Sequence, residues 1–149
     1  MSLTLELKII QPDEDKSNEL YTSDNGQELM HMMDAFYLEV GFNVPWVGYV
    51  ILNNNQVVGT AAFTGKPVDN TVEISYWTFK EWEGQGIASF ACKELISIAK
   101  NTSPSVIITA KTLPKHNAST KILQNNNFKF VKIVQDHEIG DAWLWVRDH

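Results

Sequence analysis

A chain of 149 residues with a formal net charge of −6 has the length for one domain, residues 1–149, and is too short for two separate cores. With 44% hydrophobic and 20% charged residues it is not the composition of a disordered chain, and its acidic balance argues against nonspecific nucleic-acid binding, which needs clustered Lys and Arg. A single cysteine, Cys92, excludes an intrachain disulfide and a cysteine-based metal cluster.

No run of about eighteen apolar residues occurs, so no membrane partner is expected, and residues 1–10 lack the basic start and apolar core of a signal peptide. A cytoplasmic location follows as an expectation. Met1-Ser2-Leu3 could also be a cloning remnant. The acidic surface would suit a cationic or amine substrate, although solubility alone accounts for such a balance.

Leu3, Leu5, Leu7 and Ile9 alternate along a first predicted strand that stops at Pro12 and a charged turn, Asp13 to Lys16. From Asn25 to Val40, Leu29, Met32, Met33, Phe36, Tyr37 and Val40 recur at helical spacing, predicting a helix with one buried face that Gly41 ends. The two methionines suit packing or the lining of a cleft, His31 and Asp34 fall on the surface side, and the loop from Gly41 to Trp46 is a candidate grip for an acceptor. Val47–Leu52 and Gln56–Phe63 read as strands joined by a tight turn at Asn53-Asn54-Asn55. After a second turn, Gly65 to Asn70, a strand containing Glu73 completes a three-strand antiparallel meander.

Gly84-Gln85-Gly86 then opens into a helix whose Ile87, Phe90, Ala91, Leu95, Ile98 and Ala99 pack on the sheet, with Cys92 as a small buried thiol. Pro104 closes this helix. Val106–Ala110 is a short interior strand, a helix spans about Asn117 to Asn126, Asn127 suits a left-handed backbone, and Phe128, Phe130 and Ile133 open the next strand. After a turn at Gly140, Trp143–Val146 is the last strand. Antiparallel meander followed by strand, helix, strand predicts an α/β fold with a mixed sheet and helices on its faces.

Strand, glycine loop, helix is the arrangement of a phosphate cradle. The first turn of a helix has unpaired amides and the positive end of the dipole, and glycines remove side chains that would hold a pyrophosphate away. A dinucleotide site is the weaker version of this reading, because only one of three spaced glycines is in register. The four histidines, His31, His116, His137 and His149, are scattered, so no metal site is assembled from them.

Glu73-Ile74-Ser75-Tyr76-Trp77, Glu83-Gly84-Gln85-Gly86-Ile87-Ala88 and Leu113-Pro114-Lys115-His116-Asn117-Ala118-Ser119, taken together, make the chain resemble the Gcn5-related N-acetyltransferase family. The branch it is similar to includes ribosomal-protein N-terminal acetyltransferases, and the likeness runs from about Leu5 to Val146. The family motif Arg/Gln-x-x-Gly-x-Gly/Ala is met at Gly86 and Ala88 and departed from at Glu83.

The resemblance implies an acyl-CoA acyltransferase fold, an antiparallel meander leading to a splayed pair of parallel strands, with acetyl-CoA as co-substrate. The acceptor would be a primary amine of a small molecule or of a protein or peptide N-terminus. It implies that Gly84, Gln85, Gly86, Ile87, Ala88 and Ser89 hold the pyrophosphate, that Tyr76, Trp77 and Thr78 meet the pantetheine arm, and that the strand from Val106 is the splayed partner.

By the same resemblance Glu73 is the candidate base, or a carboxylate that only positions water or substrate. Ser119 contacts or protonates the thiol, or else caps its helix. His116 stands where the branch often has Asn, and either it or Asn117 would make that cofactor contact. Leu123 occupies the place where many relatives carry a Tyr acid. That absence, with Glu83 and His116, motivates the alternative of a non-catalytic acyl-CoA binding module or sensor. Oligomeric state is open, a homodimer among the options.

Overall fold

The computed structural model describes residues 3–15 and 17–148, so Met1, Ser2, Lys16 and His149 lie outside the described residues. Seven strands and three α-helices follow in the anticipated order: β1 Leu5–Ile9, α1 Asp24–Val40, β2 Gly48–Asn53, β3 Gln56–Phe63, β4 Thr71–Thr78, α2 Ile87–Thr102, β5 Ile107–Thr112, α3 Ala118–Asn125, β6 Lys129–Asp136 and β7 Gly140–Arg147. They form one sheet ordered β1-β2-β3-β4-β5-β7-β6. Every neighbouring pair is antiparallel except β4 and β5, which run parallel. The fold is thus the mixed α/β sheet expected.

Turn chemistry sets the meander. Asn54 and Asn55 hold φ of 49° and 67° between β2 and β3, a left-handed pair that Asn tolerates better than most residues. Gly41 ends α1 at φ 82°, with its amide donating to the Tyr37 carbonyl at 2.9 Å. Asn127, at φ 69°, makes the left-handed step out of α3.

One face of the sheet carries the larger core, where Ile51, Phe63, Ile74 and Ile108 pack with Ile87, Ala91, Leu95 and Ala99 of α2. On the other face α1 covers Val50 and Leu52 of β2 with Leu29, Met30 and Met33. Here the sequence expectation for the helix is corrected by one residue: Met30 is buried at 2% exposure, whereas Met32 is 53% exposed. Gly26, Met30 and Met33 share a stripe at spacings of four and three, and Met32 falls off its edge. A 3-10 turn at Glu19–Tyr21, not anticipated, buries Tyr21 beside them.

Two contacts fix the strands that matter for the site. At Gly59 of β3 a Cβ would strike the Trp77 carbonyl and come within 3.0 Å of Thr78 Cα, so only glycine lets β4 lie this close. On the far side the buried Trp145 indole donates to Thr112 Oγ1 at 3.0 Å and locks β5 to β7. Gly59→Ala should cost about 1–3 kcal/mol by forcing β3 and β4 apart, read as a lowered denaturation midpoint at unchanged slope.

Glu14 is the buttress of the N-terminal face, accepting from Tyr21 Oη at 2.6 Å and Lys8 Nζ at 2.9 Å. Burial works against its charge, but the Tyr21 hydroxyl, Lys8 and the Gln11 amide together hold the carboxyl below its ordinary value. A carboxyl depressed on folding contributes stability above its unfolded value that is lost as pH falls through the folded one. Tyr21→Phe should therefore cost about 1 kcal/mol at neutral pH, and the gap to the parent protein should narrow in denaturant titrations below about pH 4.

Candidate active site

The parallel pairing of β4 and β5 is brief. It joins Thr71, Val72 and Glu73 to Ile107, Ile108 and Thr109 and then stops, while β4 continues along β3 to Thr78 and β5 continues along β7 to Thr112. Beyond Glu73 the edge of β4 that faces β5 has no strand partner. Backbone groups along such an edge need hydrogen bonds from elsewhere.

A cleft of about 400 Å³ opens on this gap. One wall is Tyr76, Trp77 and Thr78 of β4, a second is Glu83, Gly84 and Gly86, a third is Ile87, Ala88 and Ser89 of the first turn of α2, and Ala118, Ser119 and Ile122 of α3 close it. Of the residues singled out from the sequence, Tyr76, Trp77, Thr78, Gly84, Gly86, Ile87, Ala88, Ser89 and Ser119 meet around one space.

Gly84 and Gly86 adopt φ of 77° and 83°, and a Cβ on either would meet nothing within 4 Å, so the space they border is open. Gly86 caps α2 without a side-chain hydrogen bond, and the first helical bond runs from the Phe90 amide to the Gly86 carbonyl at 3.1 Å. The amides of Ile87, Ala88 and Ser89 precede that bond and face the cleft with the positive end of the helix dipole. The Thr78 hydroxyl, buried on the opposite wall, has no hydrogen-bond partner among the described residues. Unpaired amides and an orphaned hydroxyl fit a long ligand with an anionic end and amide groups along its arm.

Cys92 belongs to the core cluster against which Tyr76 packs, and burial pushes its thiol up to about 11. With 0% exposure Cys92 is a packing residue, as its place in the helical pattern indicated.

The start of α3 separates the residues that the sequence left as alternatives. Asn117 is its cap: Asn117 Oδ1 accepts from the Thr120 amide at 3.2 Å and Thr120 Oγ1 accepts from the Asn117 amide at 2.9 Å. The capping role open to Ser119 is therefore taken, and Ser119 turns to the cleft. His116 stacks edge-on against Trp143, ring centroids 5.0 Å apart, and is not among the cleft walls. Neither is Asn117 nor the exposed Gln85.

Glu73 sits elsewhere. Val72 and Ile74 point into the α2 core, so strand alternation sends Glu73 to the opposite face, at the position where the two strands part. There it borders a second depression with Val40, Thr64, Lys66, Val68 and Thr109. Lys111 Nζ lies 3.4 Å from its carboxylate and 3.6 Å from Asp136. Sequence reasoning missed both charges and also Trp82 and Ile122 in the first cleft. Lys111 has a signal in hindsight, two residues beyond Thr109 on the same face, whereas nothing local marks Asp136.

No curated protein matches this chain significantly in sequence. Among solved structures it is similar to RimL, a ribosomal L7/L12 α-N-protein acetyltransferase in complex with coenzyme A, with a TM-score of 0.71 and 17% identity over 99% of this chain and 95% of that one. It is also similar to ribosomal-protein-S5-alanine acetyltransferase from Vibrio fischeri, with a TM-score of 0.69 and 13% identity over 97% and 92%. A third likeness is to the microcin C7 self-immunity acetyltransferase MccE in complex with acetyl-CoA and AMP, with a TM-score of 0.65 and 15% identity over 84% and 71%. At these identities the likeness is one of fold. The model of the acetyltransferase (GNAT) domain matches residues 11–129, which span the meander, the glycine loop and α3, and the chain belongs to that family.

Proposed function

We propose that this protein is an acetyl-CoA dependent N-acetyltransferase that moves an acetyl group to a primary amine of a small molecule or of a protein or peptide N-terminus. The observation that carries the reading is the parted β4–β5 pair, whose open edge leads to the unpaired first-turn amides of α2 within one cleft. Family membership and neighbours that hold coenzyme A or acetyl-CoA support the same ligand. In this reading the amides from Gly86 to Ser89 take the pyrophosphate, and Tyr76 to Thr78 offer main-chain groups and the Thr78 hydroxyl to the pantetheine arm. Glu83 brings no positive charge, which leaves the grip to backbone dipoles.

Bound acetyl-CoA supplies an activated acetyl thioester. An alkylammonium must lose a proton before it can attack, and Glu73, beside the point where the strands part, accepts it directly or through water. Ser119, free of capping duty, is the hydroxyl set to donate to the departing sulfur. A cytoplasmic site of action belongs to the same proposal; no helix among the described residues is long and apolar enough to cross a membrane. A second reading, an acyl-CoA binding module without turnover, draws on Leu123, which is 1% exposed where many relatives carry a Tyr acid.

At about 100 times its Kd, acetyl-CoA should stabilise the fold by about 2.7 kcal/mol, a rise in Tm of about 5–10 °C. NADH and ATP should not, and Gly86→Val should abolish the shift by filling the cradle. Absence of any shift with acetyl-CoA overturns both readings. Thiol release across a panel of peptide amines, polyamines and amino acids then separates enzyme from binding module. Glu73→Gln should cut kcat by about 10²-fold or more while the acetyl-CoA shift persists. Ser119→Ala should lower kcat with little change in the KM for amine; unchanged turnover in either variant removes that residue from its role.

A further inference from the structure

Glu73, Lys111 and Asp136 come from β4, β5 and β6 and lie in a row on the face opposite α2, with Lys111 in the middle. The row is anchored at one end only. Asp136 Oδ1 accepts from the amides of Glu138 at 2.8 Å and Ile139 at 3.3 Å, which leaves Oδ2 for Lys111. These amides, the Glu138 one foremost, hold Asp136 below the ordinary carboxylate range, so it is a fixed anion. Among the described residues no amide donates to Glu73 in this way, and Lys111 is the partner the structure gives its carboxylate.

Both Lys111 contacts are longer than the roughly 2.7–2.9 Å of a tight charge-assisted bond. The side chains of Lys111 and Glu73 are 32% and 27% exposed. Ion pairs this loose and this wet are weak and exchange readily. An ammonium on a flexible stem, resting on the carboxylate where the strands part, is also the arrangement an incoming amine would adopt before losing its proton.

We propose that Lys111 is an internal stand-in for the acceptor: it occupies Glu73 in the free protein, cedes it to the ammonium of the incoming substrate, and is then retained by Asp136. Lys111 is thereby a positioning and selectivity residue, admitting acceptors cationic enough to displace it. The inference rests on Glu73 facing the acceptor, as proposed above.

The test reads occupancy rather than chemistry. The uniformly 15N-labelled full chain is titrated with n-propylammonium chloride, with tetramethylammonium chloride as the ionic-strength control, and the amide shifts of Glu73 and Thr109 are followed. Lys111→Met should bind n-propylammonium about threefold more tightly than the parent protein. Lys111→Arg, whose planar fork grips carboxylates better, should bind it more weakly than the parent. Lys66→Met removes a charge that lines the depression beside Glu73, whereas the ion pair to Glu73 comes from Lys111, and it should change the affinity less than Lys111→Met. Equal or weaker binding by Lys111→Met, equal or tighter binding by Lys111→Arg, an equal effect of Lys66→Met, or no saturable shift at Glu73 overturns the proposal. Should Lys111→Met not fold, the arginine comparison decides alone. Failure of Glu73 as base appears separately, as unchanged thiol release by Glu73→Gln.

Discussion

Two strands that begin as parallel neighbours are pulled to different partners, and the architecture of this protein depends on that divergence. β4 is drawn along β3 because Gly59 lets the Trp77 carbonyl and Thr78 approach without a Cβ between them. β5 is drawn along β7 because the buried Trp145 indole is satisfied by Thr112 and the aromatic rings of the last hairpin stack around it. Only Thr71–Glu73 and Ile107–Thr109 remain in register. Breaking parallel pairing leaves strand edges unsatisfied, a cost that a ligand bearing amide groups can offset.

The two faces of the sheet beside the gap carry different chemistry. On the α2 side the walls are glycines, a helix start and a buried hydroxyl, and among the described residues no lysine or arginine lines the cleft. A chain of net charge −6 can still offer an anion a favourable place when the positive end of a helix and unpaired amides converge there. On the other side charges stand in a row, Glu73, Lys111 and Asp136. In the proposed reaction, grip and proton chemistry fall to opposite faces of the sheet. Strand alternation is the physical cause: Val72 and Ile74 must face the α2 core, and Glu73 between them cannot.

Much of this was legible from local pattern. Period-two and period-3.6 alternation placed every strand and α-helix in order, and residues that tolerate positive φ, Asn54, Asn55, Gly41 and Asn127, stood at the turns where they were expected. The glycine loop and its helix and Cys92 in the core follow from the same kind of signal, whereas Tyr76, Trp77 and Thr78 were pointed to by the family resemblance alone. One misreading arose where neighbouring apolar residues offered the same helix two overlapping stripes. Met30 rather than Met32 is inside because β2 presents Val50 and Leu52 to one stripe of α1. The two uses left open for Ser119 are a different case: Asn117 caps α3 because Thr120 completes a reciprocal pair with it, which shows only once the helix start is known.

The sequence by itself determined the element order, the turn positions and the glycine-opened helix start, which rest on interactions between residues a few positions apart, and the family resemblance, which rests on three stretches between Glu73 and Ser119 taken together. The resemblance implied a splayed strand pair and a shared site for Ser119 and Gly86, but only the tertiary structure decided that β4 and β5 part just after Glu73 and that Lys111 lies between Glu73 and Asp136. Those residues are separated by tens of positions, and strand register brings them together. That register is set by the packing of whole sheet faces, so no local stretch of the chain encodes it.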